Sequence, residues 1–240
     1  MQAIILAGGL GTRLRPILET IPKALVPVAG RPFIEYQIEL FHARGVRDLI
    51  VCTGHLGHLI EEHLGDGRRF DVSIRYGFER DRLLGTAGAV KNIEPLLEDA
   101  FFVQYGDSYL LVDYRAVMAC FRQRDAPGLM VVYRNHDRWG RSNVVVDGDR
   151  VCVYDKSRKW PAMVHIDFGV SAFRREAFAG IASGVTTDLS IVHQALIEQR
   201  QLLAYETSHR FYEVGSPEGL QEFESFVRSG TLDLLTREAL

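Results

Sequence analysis

Residues 1–32 read MQAIILAGGLGTRLRPILETIPKALVPVAGRP, and the rest of the chain is organised around them. Ala3 to Ala7 is an apolar run too short for a helix and suited to a buried strand. Gly8, Gly9 and Gly11 follow at once. Glycines this dense let the backbone turn sharply and bring its N–H groups against a ligand. Thr12 adds a hydroxyl, Arg13 and Arg15 add cations, and Pro22-Lys23 and Pro27 come before the next apolar segment. A strand opening into a glycine loop with cations nearby is a means of holding phosphates.

The spacing excludes two common phosphate loops. The dinucleotide fingerprint requires a third glycine at position 14, which is Leu14, and this disfavours a Rossmann dehydrogenase. A Walker loop ends in Gly-Lys-Ser/Thr, whereas these glycines run into Thr12-Arg13.

The run from Ala7 to Leu14, then Pro16, Pro22-Lys23 and Pro27-Val28, resembles the signature of the sugar-1-phosphate nucleotidyltransferases, roughly GGxGTRLxP…PKxxxPV. One threonine usual soon after the first proline is displaced, Thr20 being nearest. The resemblance implies a Rossmann-like three-layer α/β sandwich around a mixed, mostly parallel sheet, the nucleotide-diphospho-sugar transferase fold. It implies that Leu6, Ala7, Gly8, Gly9, Gly11 and Thr12 wrap the triphosphate of a nucleotide. It also implies that Arg13 and Lys23 act on the reacting phosphates as catalytic residues.

Alternating segments independently argue for a layered α/β fold with a mainly parallel sheet. The pattern predicts a helix from Pro32 to Arg44, a strand over Asp48–Thr53, a helix over His55–Leu64 and a strand over Val72–Phe78. A helix over Ala87–Leu97, a strand over Ala100–Tyr105 and a helix capped by Asp113 follow. After Pro127 strands dominate: Leu129–Asn135, Ser142–Val146, Val151–Lys156 and Val164–Phe173, with a hairpin turn at Asp147-Gly148. Asp188 can cap a helix to Gln199, two short strands follow at Leu202–Glu206 and Phe211–Val214, and Pro217 starts a last helix. No hexapeptide repeat appears, so the chain reads as one catalytic domain over 1–240 without a C-terminal β-helix. Residues 1–125 would be mainly the nucleotide-binding half and 126–240 mainly the sugar-phosphate half.

The 240 residues are 47% hydrophobic, enough for a sizeable core. A net charge of −3 predicts no strong attraction to nucleic acid or an anionic membrane. No apolar run approaches the ~18 residues of a spanning helix. Cys52 and Cys152 lie in apolar runs, so with Cys120 they read as thiols of a reducing cytoplasm, Cys52 and Cys152 buried. His55, His58 and His63 match no metal-ligand spacing.

Leu84-Gly85-Thr86-Ala87-Gly88-Ala89 permits close backbone approach at a helix start, and alone it equally fits a small-residue packing face. It resembles the family's base-contacting segment, which assigns Gly85, Thr86 and Gly88 to the nucleotide. The LGT form recurs in the branch using GTP with mannose- or heptose-1-phosphate. Gly106-Asp107 follows an apolar run, where a carboxylate projects into the ligand crevice of an open α/β sheet. Mg²⁺ takes hard oxygen ligands, which makes Asp107 the first metal ligand. The family's second carboxylate falls on Glu213 in Glu213-Val214-Gly215-Ser216-Pro217, with glutamate in place of aspartate. By resemblance Gly106 joins the nucleotide site and Lys156 grips the sugar phosphate, while Asn143, Asp167 and Gly169 line the sugar. An aspartate there accepts hydroxyl hydrogen bonds and repels a further anion, with Arg141 placed to offset this.

The expected reaction is transfer from an NTP, GTP first, to a sugar 1-phosphate, with Mg²⁺ as cofactor and a homodimer common in the family. Alternatives are uridylyl or thymidylyl transfer to N-acetylmuramate 1-phosphate or glucose 1-phosphate, or a non-catalytic nucleotide or sugar sensor of the same fold.

Overall fold

The computed structural model describes residues 1–9, 14, 20–79 and 82–230. Strand β1 (Gln2–Leu6) is followed by the two-residue strands β2 (Pro27–Val28) and β3 (Arg31–Pro32), then helix α1 (Phe33–Ala43). The alternation continues with β4 (Asp48–Thr53), α2 (Gly57–Leu64), β5 (Ser73–Phe78), α3 (Gly85–Asn92) and β6 (Ala100–Tyr105). Next come β7 (Ser108–Leu110), α4 (Tyr114–Arg122), β8 (Gly128–Arg134), β9 (Val144–Asp147), β10 (Arg150–Tyr154) and β11 (His165–Arg174). The chain closes with α5 (Leu189–Glu198), β12 (Leu202–Thr207), β13 (Phe211–Glu213) and α6 (Pro217–Arg228).

Helix α3 is shorter than its apolar pattern. It starts at Gly85 and stops at Asn92, and a 3-10 turn covers Glu94–Leu96. Pro95 has no N–H to donate and keeps the residue before it out of the α region. The carboxylate caps act as their positions imply. Asp113 accepts from the N–H groups of Arg115 and Ala116, and Asp188 from that of Ser190.

The chain forms two compact units. The first gathers residues 1–83, 104–109 and the stretch from Phe211 onward. Its sheet runs β5-β4-β1, all parallel, with Gln2 opposite Asp48 and Asp48 opposite Ser73. The end of β6 lies beside β1, where the Gly106 N–H donates to the Leu6 carbonyl at 3.0 Å. Phe223 of α6 is fully buried, with its ring 5.2 Å from Phe33, 5.6 Å from Tyr36 and 4.9 Å from Tyr109. Burying one such ring is worth about 1.5–3 kcal/mol, which fastens the C-terminal helix to α1. His63 joins Glu35 at 2.9 Å in a network that also takes Arg69 and Arg31, so it ties α2 to α1.

The second unit gathers 84–103 and 110–210. Its strands run β11-β8-β12-β10-β9, with β8 and β12 parallel and the β11–β8, β12–β10 and β10–β9 pairs antiparallel. Two irregularities matter. Between Asp167 and Ser171, β11 advances four residues while β8 advances two, from Val132 to Met130, so Phe168 to Val170 bulges. Gly169 occupies that bulge at φ +101°, where an L side chain is strained. On β10 the register slips by one at Cys152. That extra residue turns outward, so Cys152 is exposed rather than buried, whereas Cys52 is buried in β4 as its apolar run predicts.

No described helix is long and apolar enough to cross a membrane.

Candidate active site

In the first unit the candidate residues gather at the carboxyl ends of strands. Leu6 ends β1, and Ala7, Gly8 and Gly9 follow it. The Ala7 N–H donates to the Cys52 carbonyl at 2.8 Å, carrying the β1–β4 pairing one residue past the strand. Gly11, Thr12 and Arg13 lie outside the described residues. Lys23 opens a one-turn 3-10 helix after the extended Pro22, and the burial of Ala24 and Val26 fixes its direction. Its Nζ lies 2.6 Å from Asp107 Oδ2. The two side chains are 16% and 33% exposed, so the pair is open to a ligand.

Glu213 is on an adjoining segment. β13 pairs with β7, and the Val214 N–H donates to the Asp107 carbonyl at 2.8 Å. A Cβ on Gly215 would stand 3.6 Å from Lys23 Nζ and 3.7 Å from Asp107 Oδ2, which places residue 215 directly against the pair. Asp107, beside the Lys23 ammonium, offers a hard oxygen donor of the kind a divalent cation takes, and the backbone of Glu213 lies on the segment paired with β7.

In the second unit the glycines of Leu84–Ala89 have a packing task. Gly85 is at φ +69°, and an added Cβ would meet the Thr187 carbonyl oxygen at 2.7 Å. The N–H groups of Ala87 and Gly88 both donate to that oxygen, at 2.9 and 3.2 Å. Thr86 Oγ1 donates to Asp188 Oδ2 at 3.1 Å and accepts from the Leu189 N–H at 2.6 Å. The start of α3 is thereby bolted to the start of α5. Asp188 was legible in the sequence only as a helix cap, and its second partner lies 102 residues away. Burial opposes its charged form, yet the bonds from Ser190 and Thr86, with Lys156 nearby, hold the carboxyl below its ordinary range.

The candidate sugar residues cluster around the β11 bulge. The Asp167 N–H donates to Asn143 Oδ1 at 2.9 Å. Asp167 Oδ1 accepts the Gly169 N–H at 3.0 Å, and Oδ2 accepts the Tyr154 hydroxyl at 2.7 Å. Lys156 Nζ stands 5.5 Å from the Tyr154 ring centroid. Tyr154 and Gln194, which sequence reasoning passed over, complete this neighbourhood. Gln194 Nε2 donates to the Tyr154 carbonyl.

Behind them His193 is buried, with Nε2 3.1 Å from Ser171 Oγ. Burial pushes it down to about 4 from 6.5, against the upward pull of Asp167 and Asp188 and with the help of Lys156. A histidine depressed on folding stabilises fully above its unfolded pKa and progressively less as pH falls toward the folded one. Between pH 6.5 and 4 the chain is therefore expected to lose up to roughly 3 kcal/mol of unfolding free energy. Urea titrations of the wild type and His193→Gln at pH 7 and 4.5 check this. Equal acid losses in the two proteins would show that His193 is not the group responsible.

Residues 2–150 match the family model described as nucleotidyl transferase. This chain belongs to the nucleotidyl transferase family. Among the relatives of this nucleotidyl transferase is a UTP–glucose-1-phosphate uridylyltransferase from Synechocystis sp., 33% identical over 206 residues, covering 79% of this chain and 53% of the relative. Another is an N-acetylmuramate α-1-phosphate uridylyltransferase from Neisseria meningitidis serogroup B, 31% identical over 232 residues, covering 94% of this chain and 97% of the relative. A Bacillus anthracis protein described as a glucose-1-phosphate thymidylyltransferase, solved with sucrose, superposes with a TM-score of 0.83 at 23% identity, over 95% of each chain. The fold is that of the nucleotide-diphospho-sugar transferases. The chain spans about half the length of several curated relatives it matches, and their names cover uridylyl, thymidylyl and guanylyl transfer.

Proposed function

We propose that this nucleotidyl transferase moves a nucleoside monophosphate from an NTP to a sugar 1-phosphate and releases pyrophosphate. The observation that carries the reading is the Lys23–Asp107 pair beyond the strand ends, in a chain matched by the family model over residues 2–150. The acceptor needs no activated side chain. A phosphate monoester is largely dianionic near neutral pH, its second pKa being about 6. One of its oxygens bonds to the α-phosphorus while the bond to the bridging oxygen of the β-phosphate breaks, and the electron pair leaves with pyrophosphate.

The chain's task is to gather anions that repel one another and to stabilise the charge that grows in the transition state. Gly8, Gly9, Gly11 and Thr12 serve the triphosphate, with Arg13 and Lys23 as cations. Gly85, Thr86, Gly88 and Gly106 serve the nucleotide, and Lys156 grips the acceptor phosphate. Asn143, Asp167 and Gly169 shape the sugar pocket. Residues 1–125 thus serve mainly the nucleotide and 126–240 mainly the sugar phosphate. Asp107 and Glu213 would hold Mg²⁺. When bound, the ion would neutralise phosphate charge.

For the donor we propose GTP and for the acceptor a mannose- or heptose-type sugar, on the Leu84–Ala89 segment. Uridylyl transfer to an N-acetylmuramate-type sugar is the second reading, favoured by the match along nearly the whole of both chains. The test is a matrix of four NTPs against a panel of sugar 1-phosphates, scored for pyrophosphate. One productive pair is expected to dominate, and nucleotide binding without pyrophosphate from any pair would instead establish a sensor.

A further inference from the structure

Tyr154 ends β10 and is only 1% exposed. Its carbonyl accepts from Gln194 Nε2 of α5. Its ring meets the buried His193 edge-on at 5.3 Å, and Lys156 Nζ stands 5.5 Å from the ring centroid. Its hydroxyl donates to Asp167 Oδ2 at 2.7 Å. That last bond is not one between neighbouring strands. Tyr154 is opposite Val144 of β9, and Val144 is opposite His165 of β11, two residues before Asp167. The phenol therefore spans an intervening strand to reach the carboxylate.

Asp167 is held from its other sides as well. Oδ1 accepts the Gly169 N–H at 3.0 Å within the bulge, and the Asp167 N–H donates to Asn143 Oδ1 at 2.9 Å. The Asn143 carbonyl accepts the Asp155 N–H at 3.0 Å, so the segment that carries Lys156 is tied to the same asparagine. That segment borders a cavity of about 340 Å³ lined by Tyr154, Asp155, Lys156, Ser157, Ser190 and Gln194.

A carboxylate has about four acceptor positions on its two oxygens. The phenol and the Gly169 N–H take one on each oxygen of Asp167, and both are neutral donors. What remains is a half-buried carboxylate with acceptor positions left over and its rotation stopped. A freely rotating aspartate would have to give up rotamer freedom on meeting a ligand. One already held in place does not, which is the gain preorganisation brings. We infer that Tyr154 is a positioning residue of the acceptor site: its hydroxyl fixes Asp167, at a set place relative to Lys156, to accept a hydrogen bond from a hydroxyl of the acceptor sugar. The inference rests on the proposed transfer to a sugar 1-phosphate, with Lys156 on the phosphate and Asp167 at the sugar. Tyr154 acts through Asp167 rather than on the reacting atoms.

The test is Tyr154→Phe, which keeps the ring beside His193 and Lys156 and removes only the hydroxyl. The probes are glucose, mannose and N-acetylmuramate 1-phosphates with all four NTPs. The acceptor that releases most pyrophosphate is then compared with its singly deoxygenated analogues. In the wild type one analogue is expected to fall by about tenfold or more in kcat/KM, the scale of a hydrogen bond to a charged group. In Tyr154→Phe the parent acceptor is expected to fall by about tenfold and that analogue hardly at all, so the ratio between them approaches one, with KM for the NTP unchanged. A purely structural role would lower both acceptors alike and leave the ratio where it was. Adding Tyr154→Phe to Asp167→Ala is expected to bring no further loss. The inference is overturned, with the transfer reaction intact, by any of three results: no wild-type loss for any deoxygenated analogue, a wild-type ratio that survives in Tyr154→Phe, or a double variant clearly slower than Asp167→Ala. No pyrophosphate from any acceptor would sink the transfer reaction and the inference with it.

Discussion

Asp107→Asn is expected to lower pyrophosphate release by about a thousandfold while leaving the fold almost untouched. The two halves of that expectation come from different magnitudes. Asp107 and its partner Lys23 are 33% and 16% exposed, so their ion pair is partly screened by water. Such pairs contribute about 0–1 kcal/mol to folding. Asparagine also keeps the shape of the side chain and leaves the Val214 N–H bond to the residue 107 carbonyl in place. Activity is another matter. The proposed reaction gathers several phosphate charges at this point, and a loss of about a thousandfold corresponds to about 4 kcal/mol of transition-state stabilisation. The variant should also need more Mg²⁺ to reach half of its residual rate, because a neutral amide oxygen is a weaker ligand than a carboxylate. Thermal melts together with a Mg²⁺ titration of turnover check both halves. A variant with a tenth or more of wild-type turnover would take Asp107 out of the chemistry.

What the sequence disclosed and withheld follows from the range of each interaction. β4 and β6 have the bounds their apolar runs imply, because a buried strand between turn residues is a local signal. The caps at Asp113 and Asp188 are local too. β2, β3 and β7 have two or three residues each and no period to detect. The bulges at Cys152 and at Phe168 to Val170 depend on the partner strand's register, which no single segment encodes. For the site, the glycine loop, Lys23 and Asp107 were legible as separate motifs. The meeting of Lys23 and Asp107 at 2.6 Å across 84 residues of chain is a product of topology. The Leu84–Ala89 glycines were ambiguous because packing and base contact demand the same small residues. The structure gives Gly85 and Gly88 a packing role against Thr187 and its neighbours, with base contact a further proposal.

Lys23→Met is expected to lower kcat by about a hundredfold, and the double variant decides what the lysine does. Methionine keeps most of the stem that emerges from the Pro22 turn and removes only the charge. Two roles predict different couplings. If Lys23 serves only to neutralise Asp107, its loss should cost nothing further once Asp107→Asn is in place, and the double variant should be no slower than Asp107→Asn alone. If the ammonium acts on the phosphates, the double variant should be slower than Asp107→Asn alone by much of what Lys23→Met costs. The second outcome is the one expected. A carboxylate one-third exposed can be hydrated when its partner goes, whereas the charge growing on the phosphates during transfer has no such substitute in a closed complex. Steady-state kinetics on the three variants separate the cases, since loss of a contact made in the transition state lowers kcat and kcat/KM alike. A double variant as fast as Asp107→Asn alone would reduce Lys23 to a counter-ion.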